Sequence, residues 1–237
     1  MPRVLIERSM NEGYLSNAYL VADEPGGHGV LIDGNGVPEP LLDRAERDDI
    51  TITHVLVTHS HTDHVVDVDS IAGRLGVPLL AHPELDDGSV VASGDLQIHA
   101  LFTPGHCRDH LAFSVNGTDV FTADVLFKGT VGGTMGGGPS GFDDLRRSIM
   151  ERLMELDAAV AVHPGHTLPT TIGDEWEQNP FIRIWRGLDP EGSDTCRVRG
   201  EQATLILWAP DYDGTNKAWV RYPDGRDAIV GGSQVER

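Results

Sequence analysis

A short stretch of the sequence, residues 58–64, is rich in side chains that bind metal ions. It reads Thr-His-Ser-His-Thr-Asp-His, which places four ligand-type residues within six positions: His59, His61, Asp63 and His64. On an extended turn, side chains two positions apart share a face, so His59 and His61 can converge on one ion while Asp63 and His64 point toward a second. A lone histidine at a strand end is usually packed or hydrogen-bonded, but this density of ligand types predicts a metal site.

Three further candidate ligands each follow a predicted strand later in the chain. They are His106 at the end of a Thr-Pro-Gly-His segment, Asp124 after Phe-Thr-Ala, and His166 at the end of a His-Pro-Gly-His segment. Taken alone, a Pro-Gly-His segment fits an ordinary tight turn. Sites are commonly built from strand-end loops at one edge of a rigid sheet, so we expect these three residues to join the first cluster.

The order of these ligands, H-x-H-x-D-H followed by a separate His, an Asp and a last His, resembles the signature of the metallo-β-lactamase superfamily. The resemblance spans roughly residues 4 to 187 and implies an α/β, four-layer αββα fold, in which two packed mixed β-sheets are flanked by helices. It also implies two metal sites, one held by His59, His61 and His106 and the other by Asp63, His64 and His166, with Asp124 and a water or hydroxide bridging them. Asp63 and Asp124 are the expected catalytic residues.

Two divalent ions at such a site favour hydrolysis. Together they outweigh two aspartates and a bridging hydroxide by one positive unit, which stabilises the charge of a tetrahedral intermediate. Imidazole and carboxylate ligands suit zinc, iron and manganese, and zinc is the expected metal. A metal-bound hydroxide is available near neutral pH because the cations lower the pKa of bound water.

Residues 103–106 and 121–127 are similar to segments of glyoxalase II enzymes, which hydrolyse thioesters of glutathione, and residues 179–183 are similar to a segment near the end of some members. The chain departs from that family at the glycine-rich residues 128–141, and no helical glutathione-binding domain is recognisable after His166. We therefore predict hydrolysis of a thioester or a related small ester, with the thiol carrier left open. The alternative is a mononuclear iron enzyme like the persulfide dioxygenases of the same superfamily.

The ligands require strands and helices to position them. Patterns of β-branched and apolar residues predict strands at residues 4–7, 18–22, 29–32, 53–57, 78–81, 96–102, 111–115, 119–122, 158–162, 204–208 and 217–222. Helical spacing predicts helices after His64, through Leu145, Ile149 and Leu153 with Ser140 or Asp143 as the cap, and through Phe181, Ile182 and Trp185. Seven glycines among residues 129–141 predict a loop that permits close backbone approach.

We predict a hydrolase domain over residues 1–190 and a β-rich C-terminal extension over residues 191–237 that packs on the core. The aromatic residues of the extension are expected to cover the core, form a dimer interface or line the pocket, in that order. Four basic residues are candidates for meeting a substrate carboxylate: Lys128, Arg146, Arg183 and Arg186. For Cys107 we expect a small buried packing role.

The charge of the chain limits the kinds of partner that it can bind. The chain has 18 Lys+Arg against 37 Asp+Glu, a net charge of −19, which disfavours binding to nucleic acid or to an anionic membrane surface. Two distant cysteines indicate no disulfide framework, and the sequence begins without a recognisable signal peptide. We expect a cytoplasmic enzyme that acts on a small-molecule substrate, and a homodimer is compatible with the sequence.

Overall fold

The computed structural model describes residues 4–135 and 141–237 of the chain. The chain folds as two compact units. The first comprises Met1–Phe102 and Asp109–Phe121, and the second comprises Thr103–Arg108 and Thr122–Arg237.

The first unit contains a mixed sheet, a set of antiparallel strands and three helices. Its strands are β1 (Leu5–Asn11), β2 (Ser16–Ala22), β3 (His28–Ile32), β4 (Thr51–Leu56), β5 (Leu79–Leu80), β6 (Val90–Ser93), β7 (Leu96–Phe102), β8 (Leu111–Val115) and the start of β9 (Asp119–Ala123). Its helices are α1 (Glu39–Arg47), α2 (Thr62–Val65) and α3 (Val68–Leu75). Strands β1 to β5 lie in chain order, antiparallel up to β3 and parallel from β3 to β5. Strands β6 to β9 pair antiparallel with their chain neighbours.

Strand β2 shows how the first unit builds its core, because every one of its residues is buried. Tyr19 and Val21 point to one face and pack with Phe113 and Phe121 of the antiparallel strands. Leu20 and Ala22 point to the other face, against Leu41 and Ala45 of α1 and Val68, Ile71 and Ala72 of α3. Side chains alternate between the two faces of β2, and both faces are apolar. One face packs on the helices and the other on the antiparallel strands, so the layers of this unit follow the order helix, sheet, sheet.

The second unit combines short strands, helices and a C-terminal sheet. Its elements are β10 (Leu126–Phe127), β11 (Thr130–Val131), α4 (Phe142–Ser148), β12 (Ala161–Pro164), β13 (Thr170–Thr171), α5 (Ile172–Gln178), α6 (Pro180–Trp185), β14 (Asp194–Val198), β15 (Glu201–Pro210), β16 (Asn216–Arg221), β17 (Asp227–Gly231) and β18 (Val235–Glu236). Helix α4 continues into a π-helical turn over Ile149–Leu153. The C-terminal sheet is antiparallel, in the order β17-β16-β15-β14-β18.

Aromatic side chains join the C-terminal sheet to the helices of the second unit. The ring of Trp219 on β16 lies 5.0 Å from that of Phe142 at the start of α4 and 6.2 Å from that of Trp185 at the end of α6. Trp219 thus packs against α4 and α6. The boundary at residue 190 stays a prediction.

Several sequence expectations need correction. Helix α1 is absent from the predicted elements, because Gly34, Gly36 and Pro38 are typical turn formers, yet the helix begins directly after Pro38. The strand expected at residues 158–162 is found at Ala161–Pro164, since Asp157 and Val160 close a turn. Within the predicted glycine-rich loop, Thr130–Val131 forms a short strand with Leu126–Phe127.

The predicted cap of α4 is also wrong in part. Gly141 is the N-cap residue, and Asp143 lies in the first turn without capping it. The other candidate, Ser140, lies outside the described residues, as do the glycines at 136–138. Among residues 4–135 and 141–237, no helix is long and apolar enough to span a membrane.

Candidate metal centre

In the first unit, the histidine-rich segment connects strand β4 to helix α2. The strand ends at Leu56, the backbone is extended at His61, and α2 then begins at Thr62. His59 and His64 are buried, whereas His61 and Asp63 are partly exposed. The sequence expectation that this cluster lies between a strand and a helix is confirmed.

The buried carboxylate of Asp33 orients two of these histidines. One oxygen accepts a 2.8 Å bond from the Thr58 amide, and the other accepts a 2.8 Å bond from the Thr58 hydroxyl and lies 2.9 Å from Nδ1 of His64. The Thr58 hydroxyl lies 3.0 Å from Nδ1 of His59. Because Thr58 gives its proton to Asp33, it accepts from His59, so both imidazoles carry their proton on Nδ1 and present a lone pair on Nε2.

The donor atoms of the histidine-rich segment are spaced as metal ligands are. Oδ2 of Asp63 and Nε2 of His64 are 3.6 Å apart. Two donor atoms bound at about 2.1 Å to one tetrahedral metal ion lie about 3.4 Å apart. The ring of His59 is 4.7 Å from that of His61 and 4.5 Å from that of His64. This spacing makes these residues candidate metal ligands.

His110 supports the cluster from behind. It is fully buried, and its ring lies 5.1 Å from that of His59. The neighbouring residues hold the same loop, since the Leu111 amide donates to the Thr58 carbonyl and the Ser60 amide donates to Asp109. This placement fits a packing or supporting role for His110.

In the second unit, Asp124 brings together the two other predicted histidines. Its Oδ2 atom lies 3.5 Å from Nε2 of His106 and 3.4 Å from Nε2 of His166. All three side chains are largely buried. Both separations match the ligand spacing given above. The three residues come from separate loops and present donor atoms at ligand spacing, so each is a candidate metal ligand.

Backbone contacts fix the position of His106. Its Nδ1 atom lies 2.9 Å from the Gly133 carbonyl, which holds the proton on Nδ1 and leaves Nε2 directed at Asp124. The preceding Gly105 has a φ of 137°, and a Cβ there would lie 2.2 Å from the backbone of Leu145 on α4. The loop therefore sits against the helix at a distance that only glycine allows.

Gly132 makes a similarly close approach, to the backbone of Asp124. A Cβ at this position would lie 1.9 Å from the Asp124 carbonyl oxygen. The predicted close backbone approach of the glycine-rich segment is found at this residue.

The basic residues proposed to meet a substrate differ in their surroundings. Arg183 forms two bonds to Asp189, of 2.7 and 2.8 Å, and Arg186 stacks on Trp176. Arg146 is exposed on α4. Lys128, in contrast, lines a cavity of about 680 Å³ in the second unit together with Thr167, Glu175, Asp211 and Tyr212.

Two residues near the ligands are not identified by the sequence pattern. Asp33 belongs to a run of turn formers, although an aspartate at the end of a buried strand is a recognisable signal. Tyr212 stacks on His166; it is an aromatic residue of the extension, whose expected roles include lining the pocket, but its spacing does not single it out as the neighbour of a candidate ligand. Of the remaining predictions, Cys107 is buried as expected.

Comparison with known proteins places these residues in a family. Residues 12–89, which include the histidine-rich segment, match the model described as the metallo-beta-lactamase superfamily. An uncharacterized protein of Mycobacterium tuberculosis is 33% identical over 207 residues, covering 70% of this chain and 92% of the relative. The hydroxyacylglutathione hydrolase GloC of Haemophilus influenzae is 28% identical over 201 residues, covering 71% of this chain and 93% of the relative.

Solved structures agree with the sequence relatives. ETHE1 from Myxococcus xanthus superposes with a TM-score of 0.70 at 26% identity, over 78% of this chain and 91% of that chain. TTHA1623 in a di-iron-bound form superposes with a TM-score of 0.64 at 31% identity, over 74% of this chain and 99% of that chain. With mixed sheets, flanking helices and candidate metal ligands of the expected kinds, the chain belongs to the metallo-β-lactamase superfamily and has its fold.

Proposed function

We propose that the protein is a binuclear metal-dependent hydrolase that cleaves a thioester, as glyoxalase II does, or a related small ester. The observation that carries this proposal is the position of Asp124 Oδ2, 3.5 and 3.4 Å from the Nε2 atoms of two histidines. A carboxylate at ligand distance from two separate imidazoles suits a bridging ligand. The family to which the chain belongs supplies the reaction class.

The seven candidate ligands divide into two sets in this proposal. One metal ion would be held by His59, His61 and His106, the other by Asp63, His64 and His166, and Asp124 would serve both. Zinc suits this set of imidazole and carboxylate ligands, and iron and manganese suit it as well. Divalent ions bound there would supply Lewis-acid chemistry and would activate a water molecule near neutral pH.

The residues around the ligands prepare them for this role. Asp33 and Thr58 hold the Nδ1 protons of His64 and His59, and the Gly133 carbonyl holds that of His106. Each imidazole is thereby fixed, before a metal ion binds, in the tautomer that carries its proton on Nδ1 and offers Nε2 as the ligand atom. Such preorganisation lowers the cost of assembling the site and raises metal affinity.

The relatives support the same interpretation. GloC is named as a hydroxyacylglutathione hydrolase, and TTHA1623 was solved in a di-iron-bound form. We propose a small-molecule substrate, a cytoplasmic location and no nucleic-acid or membrane partner, in line with the net charge of −19. A homodimer is compatible with this proposal.

A second candidate function is favoured by the likeness to the Myxococcus xanthus ETHE1 structure. In this second proposal, the protein is a persulfide dioxygenase that uses a single iron ion. Two histidines and one aspartate suffice for such a site. In that case Asp63 would be dispensable for metal binding.

Elemental analysis of the purified protein and of Asp63→Ala tests the two functions. Two metal ions per chain that fall to about one in the variant, together with hydrolysis of an acyl-thiol ester, support the binuclear hydrolase. A single iron retained by the variant, together with oxygen uptake on a thiol persulfide, supports the dioxygenase. Asp69→Ala, which removes an exposed aspartate of α3, is the matched control and leaves the metal content unchanged.

A further inference from the structure

One aromatic side chain from a turn of the C-terminal sheet contacts a candidate metal ligand. Tyr212 lies in the turn between β15 and β16, and its ring stacks on that of His166 with a centroid distance of 4.2 Å and an interplanar angle of 9°. His166 is 3% exposed in its side chain, with Nε2 directed at Asp124. The tyrosine therefore covers one face of the imidazole, and a parallel contact of this kind restricts rotation of the ring.

A third ring completes the support of His166. Phe127 on β10 is buried, and its ring centroid lies 5.6 Å from that of His166 at an angle of 68° and 5.2 Å from that of Tyr212. The imidazole thus meets an edge-on neighbour as well as a stacked one. Together they leave it little freedom to tilt.

The turn that carries Tyr212 is itself held in place. The Asp211 carboxylate accepts a 2.9 Å bond from the Tyr212 amide and pairs at 3.0 Å with the buried ammonium of Lys217. That ammonium lies 5.3 Å from the Tyr212 ring centroid, within the range of a cation–π contact. The Asp211 amide also donates to the Thr215 carbonyl, which closes the turn.

We propose that Tyr212 is a positioning residue, through which the C-terminal sheet sets the ring plane of the metal ligand His166. The proposal deepens the function proposed above and rests on the role of His166 as a ligand. Residues that orient a ligand without touching the metal can change metal affinity strongly, because a ligand free to rotate must be ordered on binding. The contact is made by the ring, so the hydroxyl group of Tyr212 is not needed for it.

Zinc binding to the full-length apo-protein tests this proposal. We expect Tyr212→Ala to weaken binding of one of two zinc ions by about tenfold in a chelator competition assay, whereas Tyr212→Phe restores the affinity of the natural protein. Tyr222→Ala is the matched control, because Tyr222 is a buried tyrosine next to β16 that contacts Met135 and Arg226 instead. It is expected to lower thermal stability while leaving zinc affinity unchanged.

The outcomes separate the proposal from the function on which it rests. Equal zinc affinity of Tyr212→Ala and the natural protein overturns the positioning role, and so does a loss of equal size in Tyr212→Phe or Tyr222→Ala. His166→Ala examines the underlying assignment. If that variant still binds two zinc ions with natural affinity, His166 is not a ligand and the proposed binuclear site is wrong as well.

Discussion

The carboxylate of Asp33 lies 2.9 Å from Nδ1 of His64, although the two residues are 31 positions apart in the chain. The same carboxylate also binds the amide and the hydroxyl of Thr58. One buried side chain therefore sets the geometry of the histidine-rich loop in the first unit, and its loss is expected to affect both folding and metal binding.

Asp33→Asn tests this dependence with little change of shape. Asp33 has a φ of 62°, a conformation that asparagine also tolerates, so the backbone should not be strained. The amide can no longer accept bonds from all three donors, and we expect the free energy of unfolding to fall by about 2–4 kcal/mol and zinc affinity by about tenfold or more. Urea unfolding and chelator competition measure the two effects.

Asp49→Asn is the control for Asp33→Asn. Asp49 also has a positive φ, of 53°, but its side chain is not buried. Its replacement should leave stability within about 0.5 kcal/mol of the natural protein. Similar losses in both variants would show that backbone conformation, not hydrogen bonding to the loop, makes position 33 sensitive.

Gly132→Ala is expected to displace the backbone of Asp124. The added methyl group would meet the Asp124 carbonyl oxygen at 1.9 Å, which requires one of the two segments to move. We expect a loss of about 1–3 kcal/mol in unfolding free energy and reduced metal content by elemental analysis. Gly133→Ala, where the nearest atom is 3.6 Å away, should keep both properties, and a natural metal content in Gly132→Ala would contradict the expectation.

Glu175 ties three segments of the second unit together. Its buried carboxylate accepts bonds from the Gly129 amide, the Thr170 hydroxyl and the Asn179 side chain, at 2.8–2.9 Å. Glu175→Gln replaces one of the two accepting oxygens by an NH2 group, which cannot accept a hydrogen bond from the surrounding donors. We therefore expect the free energy of unfolding, measured with urea, to fall by about 1–3 kcal/mol. Asp174→Asn, at the exposed neighbouring carboxylate, should change stability little; equal losses would place the effect in the helix rather than in the network.

His54 gives the first unit a pH-dependent contribution to stability. Partial burial on β4 lowers the pKa of its imidazole below the ordinary value. The folded state therefore favours the neutral ring, and this contribution is complete above the unfolded pKa of about 6.5 and is lost as the pH falls through the folded pKa. We expect the natural protein to lose more unfolding free energy than His54→Gln between about pH 7.5 and pH 5.5. Parallel pH profiles of the two proteins would contradict this.

The sequence identifies the candidate ligands more readily than the residues that support them. His59, His61, Asp63 and His64 can be found because metal chemistry needs those residue types close together. Asp33 lies far from them in sequence, and its role depends on strand pairing that brings the end of β3 beside the end of β4. Its supporting role depends on the folded backbone, so the spacing of the candidate ligands does not reveal it.

Helices and strands are predictable where the hydrophobic period is clear. Strands β7 and β8 have the expected bounds, Leu96–Phe102 and Leu111–Val115. Helix α1 escapes prediction because glycine and proline dominate the residues before it, although proline is well tolerated in a first helical turn. The contact between Tyr212 and His166 could not be predicted, since it joins parts of the chain with no shared pattern.

Position 33 has a consequence for the tolerance of this protein to mutation. Its positive φ admits glycine, asparagine and aspartate with little strain, and its three donors require a carboxylate. The backbone conformation and the hydrogen bonds restrict this position independently, and aspartate satisfies both requirements. In a library of all substitutions scored by folding stability, position 33 should therefore accept fewer replacements than position 63, which is helical and partly exposed, although replacements at position 63 are expected to lower the metal content.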